Sequence, residues 1–313
     1  METHHHHHHH HVEAPKSLNS VFVLCIVLNV LFVVVETGVG FYSHSLGLLS
    51  DAGHNLSDVF SLVLALVAIH LARLHSSETF SYGYKKSTIL ISLLNAIILL
   101  IAVGAIVIES IHKFITPEPV SGEMISWTAG VGIVINGLTA WLLMPRGNKD
   151  LNVRGAYLHM VADTLVSVGV VVSGVIIILT GWTYIDPIIS LIIAIVILIS
   201  TLHLLSESLR LSLDGTPEEI DPQVVRNTIL NCEHILDVHH IHIWAISTTE
   251  VALTAHLVVD SLDEIERVKA EVKSSLLAAG IQHSTLELEL PDAHCSDHDC
   301  DCLHTDHEHT SND

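Results

Sequence analysis

Two histidine–aspartate pairs with the same spacing lie inside long apolar stretches of this sequence. His54 and Asp58 form the first pair, and His159 and Asp163 form the second. Residues four positions apart stand one turn above each other on the same face of a helix. Two such faces turned toward each other would offer two imidazole nitrogens and two carboxylate oxygens. That four-ligand set suits tetrahedral Zn²⁺, whereas calcium and magnesium prefer shells of oxygen alone.

The position of these pairs in apolar sequence also needs an explanation. An ionisable side chain at the centre of a bilayer costs roughly 2.5–3.5 kcal/mol on insertion scales. The structural alternative is that each histidine hydrogen-bonds within a helix bundle and each aspartate pairs with a nearby cation. A second copy of the pair, with no Lys or Arg at matching depth, favours the metal site. A metal binds neutral imidazole and ionised carboxylate, so protons and metal compete for these ligands. We therefore hypothesise that the site exchanges Zn²⁺ for H⁺.

The elements that must position the pairs are six apolar blocks. Half of the 313 residues are apolar, and they gather in these blocks. A helix that crosses hydrocarbon needs about 20 mainly apolar residues, and each block provides them. None has the form of a cleaved secretory signal. We therefore expect an all-α membrane bundle of six helices. The blocks cover residues 18–42, 50–73, 87–111, 124–144, 155–180 and 184–206.

The basic residues predict the orientation of these helices, since they favour the cytoplasmic side. The loops near 43–49, 112–123 and 181–183 hold only Lys113, so both termini are predicted to face the cytoplasm. The formal charge of −21 does not contradict this, because acidic residues contribute little to the rule. No basic patch suits nucleic acid. The basic residues on the predicted cytoplasmic side are Lys16, Arg73, Lys85, Lys86, Arg146, Lys149, Arg154 and Arg210.

The pattern changes after the sixth block and indicates a soluble domain. Asp221-Pro222 is typical of a helix cap and first helical residue, and predicts a helix over 222–232. Runs at 235–246, 251–259 and 283–290 predict strands, and 263–279 is an amphipathic helix. The order α-β-β-α-β suits a small two-layer α+β domain. The predicted domains are a His-rich tail (1–17), the membrane bundle (18–210), the cytoplasmic metal-binding domain (211–291) and a disordered tail (292–313).

Both tails are rich in metal ligands. Residues 4–11 are eight histidines, which are either a purification tag or a native metal-gathering tract. Cys295, Cys300 and Cys302 crowd the C-terminus among several histidines. A cytoplasmic tail is reducing, so metal ligation is a better explanation for these thiols than disulfides.

Other polar residues in the apolar blocks are weaker signals. Glu36 either lines a water path, supports the site or makes a structural hydrogen bond. Asn29, Asn95 and Asn136 are typical of links between helices. His203 lies near the cytoplasmic end of the sixth block, where we expect its side chain to snorkel toward water.

These residues together resemble the cation diffusion facilitator family, and specifically its bacterial zinc-exporting branch. The likeness covers residues 18–291. It depends most on the stretch ETGVGFYSHSLGLLSDAGHNLSD from Glu36 to Asp58. Further support comes from Tyr82-Gly-Tyr84, Asn152-Val-Arg154 ahead of His159, Asp186-Pro187 and Val238-His-His-Ile-His-Ile-Trp244.

The resemblance implies a homodimer of six-span subunits in the lipid bilayer that exports Zn²⁺ by proton antiport, with Cd²⁺ and Co²⁺ also accepted. It implies that His54, Asp58, His159 and Asp163 are the transport ligands. Manganese and iron branches place Asp where this chain has His, which favours zinc. The loop at 145–154 is short and lacks histidine, which favours a bacterial inner membrane over eukaryotic vesicles.

The resemblance also implies a zinc-binding cytoplasmic domain in which zinc acts as a regulatory ligand. Matching strands suggests His239 on the first strand, His256 on the second and Glu289 at the end of the third. His283, at the start of that third strand, is a further candidate ligand, and the tail cysteines are expected to gather metal or complete the site.

Two other classes of function fit part of the pattern. In a membrane metal sensor, zinc at the His/Asp site would set the dimer state without crossing. An intramembrane metalloenzyme would need an open coordination position and usually a separate base, but four protein ligands close the site. We therefore expect a transporter and no enzymatic activity.

Overall fold

The computed structural model describes residues 16–42, 46–115, 123–145, 150–182, 184–261 and 264–291. Six long helices come first along the chain, and a small domain with three strands follows. The six helices are α1 (Lys16–Tyr42), α2 (Leu46–Leu71), α3 (Ser87–Ile115), α4 (Glu123–Leu143), α5 (Leu151–Thr180) and α6 (Ile185–Ser212).

Three stretches of the described helices are long and apolar enough to cross a membrane: Asn19–Val39, Ser87–His112 and Pro187–Ser212. Two shorter apolar stretches, Asp58–Leu71 and Gly130–Leu143, lie in α2 and α4. The arrangement of six membrane spans therefore stays a prediction.

The chain divides into two compact units, each with its own internal packing. The first unit comprises the described residues within 16–69, 102–145 and 156–197, and here α1 packs against α4. Asn29 of α1 donates a hydrogen bond to the Thr139 hydroxyl of α4 at 3.1 Å and one to the Cys25 carbonyl at 2.9 Å. The predicted role of Asn29 as a link between helices is confirmed.

The second unit comprises the described residues within 70–101, 150–155 and 198–291. Within it, Ser92 of α3 and Ser208 of α6 share a buried hydrogen bond at 3.0 Å. Asn95 of α3 is buried against Gly155 of α5, where an added Cβ would lie 2.7 Å from the Asn95 amide nitrogen. Glycine therefore permits the close approach of the first turn of α5 to α3.

The small domain has the predicted order of elements. It comprises α7 (Pro222–Leu230), β1 (Ile235–Ala245), β2 (Val251–Val259), α8 (Ile265–Ala278) and β3 (His283–Glu289). Asp221 caps α7 by accepting a hydrogen bond from the Gln223 amide at 2.8 Å. The sheet order is β1-β2-β3, with β1 antiparallel and β3 parallel to β2. The parallel strand requires a crossover, which α8 supplies.

The core of this domain lies between the sheet and its two helices. Alternate residues of a strand point to opposite faces, so β2 buries Leu253 and Leu257 completely. Ile229 of α7 and Leu276 of α8 cover them from the helical layer. The two helices thereby cover the apolar face of the sheet.

The end of α6 connects to α7 through an ordered turn. Asp214 adopts a positive φ of 58°, and the Gly215 amide donates to the Arg210 carbonyl at 2.9 Å. A side chain at Gly215 would meet that carbonyl, so glycine is required for the turn. Lys86, which directly precedes α3, pairs with Asp214 and donates to the carbonyl of Ala245 at 3.2 Å.

Candidate metal centres

Helices α2 and α5 bring three of the four residues predicted as transport ligands together. The imidazole Nε2 of His159 lies 2.8 Å from Asp58 Oδ1 and 3.7 Å from Asp163 Oδ2. One ligand atom from each residue lies within 4.8 Å of the other two. Asp58 and His159 are buried and Asp163 is nearly so. We call Asp58, His159 and Asp163 the helical cluster.

His54, the fourth predicted ligand, lies in α2 one turn before Asp58. Its side chain falls outside the part of the chain whose side chains the structure describes. The described part of the cluster is therefore a His–Asp₂ set contributed by two helices.

A second buried carboxylate lies next to this segment of α2. Glu36 of α1 is 1% exposed, and its Oε2 accepts a hydrogen bond from the Asn55 amide at 2.8 Å. Asn55 stands between His54 and Asp58 in the sequence. The hydrogen bond therefore fixes the rotation of α2 relative to α1 at the turn that carries the predicted ligands. Sequence considerations left open whether Glu36 supports the site or makes a structural hydrogen bond.

The contact between His159 and Asp58 has a chemical consequence. An imidazole nitrogen and a carboxylate oxygen 2.8 Å apart must share a hydrogen, because two lone pairs repel at that separation. A metal ion bound by both atoms would occupy the position of that hydrogen. The geometry therefore makes metal and hydrogen mutually exclusive between Nε2 and Oδ1.

The three strands bring a second set of ligands together, which we call the sheet cluster: His239, His256 and Glu289. His239 and His256 are direct partners across β1 and β2. Glu289 approaches both, with one oxygen 3.3 Å from His239 Nε2 and the other 2.8 Å from His256 Nδ1. All three side chains are partly buried, so the cluster stays open to solvent.

Two residues near the sheet cluster were not singled out from the sequence. A bulge between His239 and His242 gives His240 a positive φ of 51°, and its ring centroid lies 4.8 Å from that of His256. Glu287 pairs with His256 across β2 and β3, with 3.6 Å between its Oε2 and Nε2. The period of two along β3 could have suggested Glu287, which shares the face of Glu289. No sequence signal indicates the bulge.

The other predicted ligands lie elsewhere. His283 begins β3 opposite Ala252, and its ring packs edge-on against Tyr82 at 5.5 Å between centroids. The structure does not bring it to the sheet cluster. Cys295, Cys300 and Cys302 lie outside the described residues, as do the histidines at 4–11.

Comparison with known families identifies the two parts of the chain. Residues 22–211 match the cation efflux transmembrane domain, and residues 217–289 match the cytoplasmic domain of cation efflux proteins. The chain therefore belongs to the cation efflux family, which is the cation diffusion facilitator family indicated by its motifs. It is an integral membrane protein of a family of metal cation transporters and not an enzyme.

Curated relatives cover most of the chain. A cadmium, cobalt and zinc/H(+)-K(+) antiporter of Bacillus subtilis is 37% identical over 263 residues, which are 82% of this chain and 85% of the relative. Zinc transporter ZitB of Escherichia coli is 36% identical over 269 residues, 85% of this chain and 86% of the relative. Zinc transporter ttm-1 of Caenorhabditis elegans is 29% identical over 283 residues, 84% of this chain and 69% of the relative.

Proposed function

We propose that this protein exports Zn²⁺ from the cytoplasm in exchange for protons, through a centre formed by His54, Asp58, His159 and Asp163. The observation that carries the proposal is the buried contact of 2.8 Å between His159 and Asp58, with Asp163 3.7 Å from the same nitrogen. The relatives are named for zinc transport or for zinc/H(+)-K(+) antiport, which supports the substrate and the coupling. Cd²⁺ and Co²⁺ are expected to compete.

Charge explains why Zn²⁺ can enter such a buried position. Asp58 and Asp163 carry two negative charges when ionised, which a divalent cation neutralises. Burying uncompensated charge is costly, so the ionised centre needs either metal or protons. Zn²⁺ and H⁺ are then alternative occupants, and a centre that opens to each side in turn exchanges one for the other.

The hydrogen bond between Asn55 and Glu36 supports a positioning role for α1. It holds α2 at the turn between His54 and Asp58, where a rotation would move both predicted ligands. Glu36 is thus a positioning residue in this proposal and does not bind the metal.

The proposed membrane arrangement is a homodimer with six spans per subunit and both termini in the cytoplasm, in the bacterial inner membrane. The distribution of basic residues supports the orientation. The match to the cytoplasmic domain of cation efflux proteins supports the dimer.

The sheet cluster is proposed to bind regulatory Zn²⁺. Its contacts of 2.8 and 3.3 Å are close to the ligand separation of about 3.3 Å in a tetrahedral zinc site. The tail cysteines, Cys295, Cys300 and Cys302, remain predicted additional ligands, whereas His283 packs against Tyr82 away from this cluster. Zinc here would tie β1, β2 and β3 together.

Transport in proteoliposomes tests the proposal. We expect zinc uptake into vesicles to depend on an imposed proton gradient, and Asp163→Asn to abolish uptake. Thr164→Val is the matched control, because Thr164 is the next residue of α5 and its hydroxyl donates a hydrogen bond to the Met160 carbonyl at 2.7 Å. This control should retain uptake.

Two outcomes would contradict the proposal. Zinc uptake that is unchanged when the proton gradient is collapsed would exclude proton antiport. Absence of uptake in both wild type and Asp163→Asn, with zinc bound in the wild type alone, would favour the sensor.

A further inference from the structure

A third group of ligands lies where α6 leads into the small domain. His203 and Glu207 are one turn apart on α6, and Glu218 lies in the connection to α7. His203 Nε2 is 4.0 Å from Glu207 Oε2 and 3.8 Å from Glu218 Oε2. One ligand atom of each lies within 4.8 Å of the other two. We call these residues the linker cluster.

Local structure holds Glu218 in this position. The turn at Asp214 and Gly215 reverses the chain after α6, and the Ile220 amide donates to the Pro217 carbonyl at 3.0 Å. The Thr216 hydroxyl donates to the Ile243 carbonyl of β1 at 3.3 Å. The backbone at Glu218 is therefore held by hydrogen bonds on both sides of it, all within one compact unit.

The charges of the linker cluster favour a cation. Arg154 Nη1 lies 3.0 Å from Glu207 Oε2, and it supplies one positive charge against the two carboxylates of Glu207 and Glu218. One negative charge is left over when His203 is neutral. The Glu207 oxygen nearest to His203 is the one that pairs with Arg154. A carboxylate accepts at two oxygens, so Glu207 must rotate to keep Arg154 on one oxygen and bind a metal through the other.

The dimensions suit an exchangeable metal ion. Zinc–ligand bonds of about 2.05 Å place tetrahedral ligands about 3.3 Å apart. The separations of 3.8 and 4.0 Å exceed this, so the side chains must move inward on binding. His203 and Glu218 are half-exposed and can change rotamer to do so. Three protein ligands leave the fourth position to water, which makes the site open.

We propose that His203, Glu207 and Glu218 form a third metal-binding centre, which takes a divalent transition metal such as Zn²⁺ or Co²⁺. Imidazole with carboxylates selects these ions over Ca²⁺ and Mg²⁺. Bound metal ties the connection between α6 and α7 to the last turns of α6. It thereby stiffens the segment that joins the membrane helix to the cytoplasmic domain.

Metal counting on the full chain in nanodiscs tests this centre. We expect the double variant His203→Ala/Glu218→Gln to bind one Zn²⁺ fewer per chain than the wild type after equilibration and gel filtration. Co²⁺ should show the same loss in its visible absorption. The matched control is His75→Ala/Glu78→Gln, which removes the same residue types from an exposed loop and should bind the full number.

Hydrogen–deuterium exchange of residues 213–221 provides the second readout. Zn²⁺ should slow exchange at least about threefold in the wild type and the control, and should leave the double variant unchanged. An unchanged metal count, or the same zinc-dependent protection in the double variant, would overturn the proposal. Both measurements report binding, so their outcome is independent of the transport proposed above. His203→Gln, which keeps a polar side chain, repeats the test if the double variant is poorly folded.

Discussion

Replacing Asp58 by asparagine tests the competition between metal and hydrogen at its centre. Asparagine has the shape of aspartate but no charge, and Asp58 is completely buried. The change leaves His159 Nε2 next to an amide group in place of the carboxylate oxygen at 2.8 Å. It therefore removes an anionic ligand and the hydrogen-sharing partner of His159 with little change in packing.

The expected loss of affinity follows from the burial of the pair. Removing one partner of a buried charged pair costs about 3–5 kcal/mol. Each 1.4 kcal/mol corresponds to a factor of about ten in Kd, so zinc binding should weaken by about 100-fold or more. Because one hydrogen-sharing contact is gone, the number of protons released per Zn²⁺ should also fall by about one.

The assay measures zinc affinity and proton release together. Purified protein in nanodiscs is titrated with Zn²⁺ against a fluorescent chelator, in weak buffer that contains a pH-sensitive dye. A background with His239→Ala, His256→Ala, His203→Ala and Glu218→Gln removes zinc binding by the sheet cluster and the linker cluster. Thr164→Val in the same background is the control. Its zinc affinity and its proton release should equal those of the background protein.

The count of protons decides the mechanism. If the hydrogen between His159 and Asp58 only moves to Nδ1 of the same ring, no proton is released from this contact. An unchanged zinc affinity and an unchanged proton count in Asp58→Asn would refute the assignment of this contact to metal–proton competition.

Three further predictions concern the small domain. Glu289→Gln should weaken zinc binding by the sheet cluster at least about tenfold, because it removes the carboxylate that contacts both histidines. Equilibrium dialysis measures this affinity, with Asp58→Asn as the background so that binding by the helical cluster is weakened. Leu253→Ala should lower the free energy of unfolding by about 2–5 kcal/mol, because Leu253 is completely buried, and denaturant unfolding followed by tryptophan fluorescence measures it. The hydrogen bond and charge of Asp260 raise the pKa of His234 above its usual 6.5. His234 therefore adds stability below that pH and loses it as the pH rises through the raised pKa, so His234→Gln should lower the melting temperature at pH 5 and leave it unchanged at pH 9.

The spacing in the sequence predicted much of the helical cluster, because a helix converts a separation of four residues into one face. Asp58 and Asp163 could thus be paired with histidines from residue positions alone. The helix faces that meet are determined by packing between helices distant in sequence. The spacing of residues within one helix does not predict this packing. The hydrogen bond from Asn55 to Glu36 is likewise a contact between helices that spacing does not reveal.

The small domain was predicted in its order of elements, since period-two and helical patterns are both clear there. In the structure α7 ends at Leu230, two residues before its predicted end. The ends of the other elements differ from the predicted ones by at most two residues. The bulge that reorients His240 could not be predicted, because it depends on the register between β1 and β2. The linker cluster was also missed: His203 was expected only to snorkel, and Glu218 reaches it through a turn whose path the sequence pattern does not reveal.

The parallel pairing of β3 determines when the sheet cluster can form during folding. His239 and His256 lie on β1 and β2, which are consecutive antiparallel strands and can pair as a local hairpin within microseconds. Glu289 comes last, since β3 can join β2 only after α8 has crossed the sheet. A nascent chain is therefore expected to expose two histidines without their shared carboxylate. It gains the complete set of ligands only when the last strand is in place.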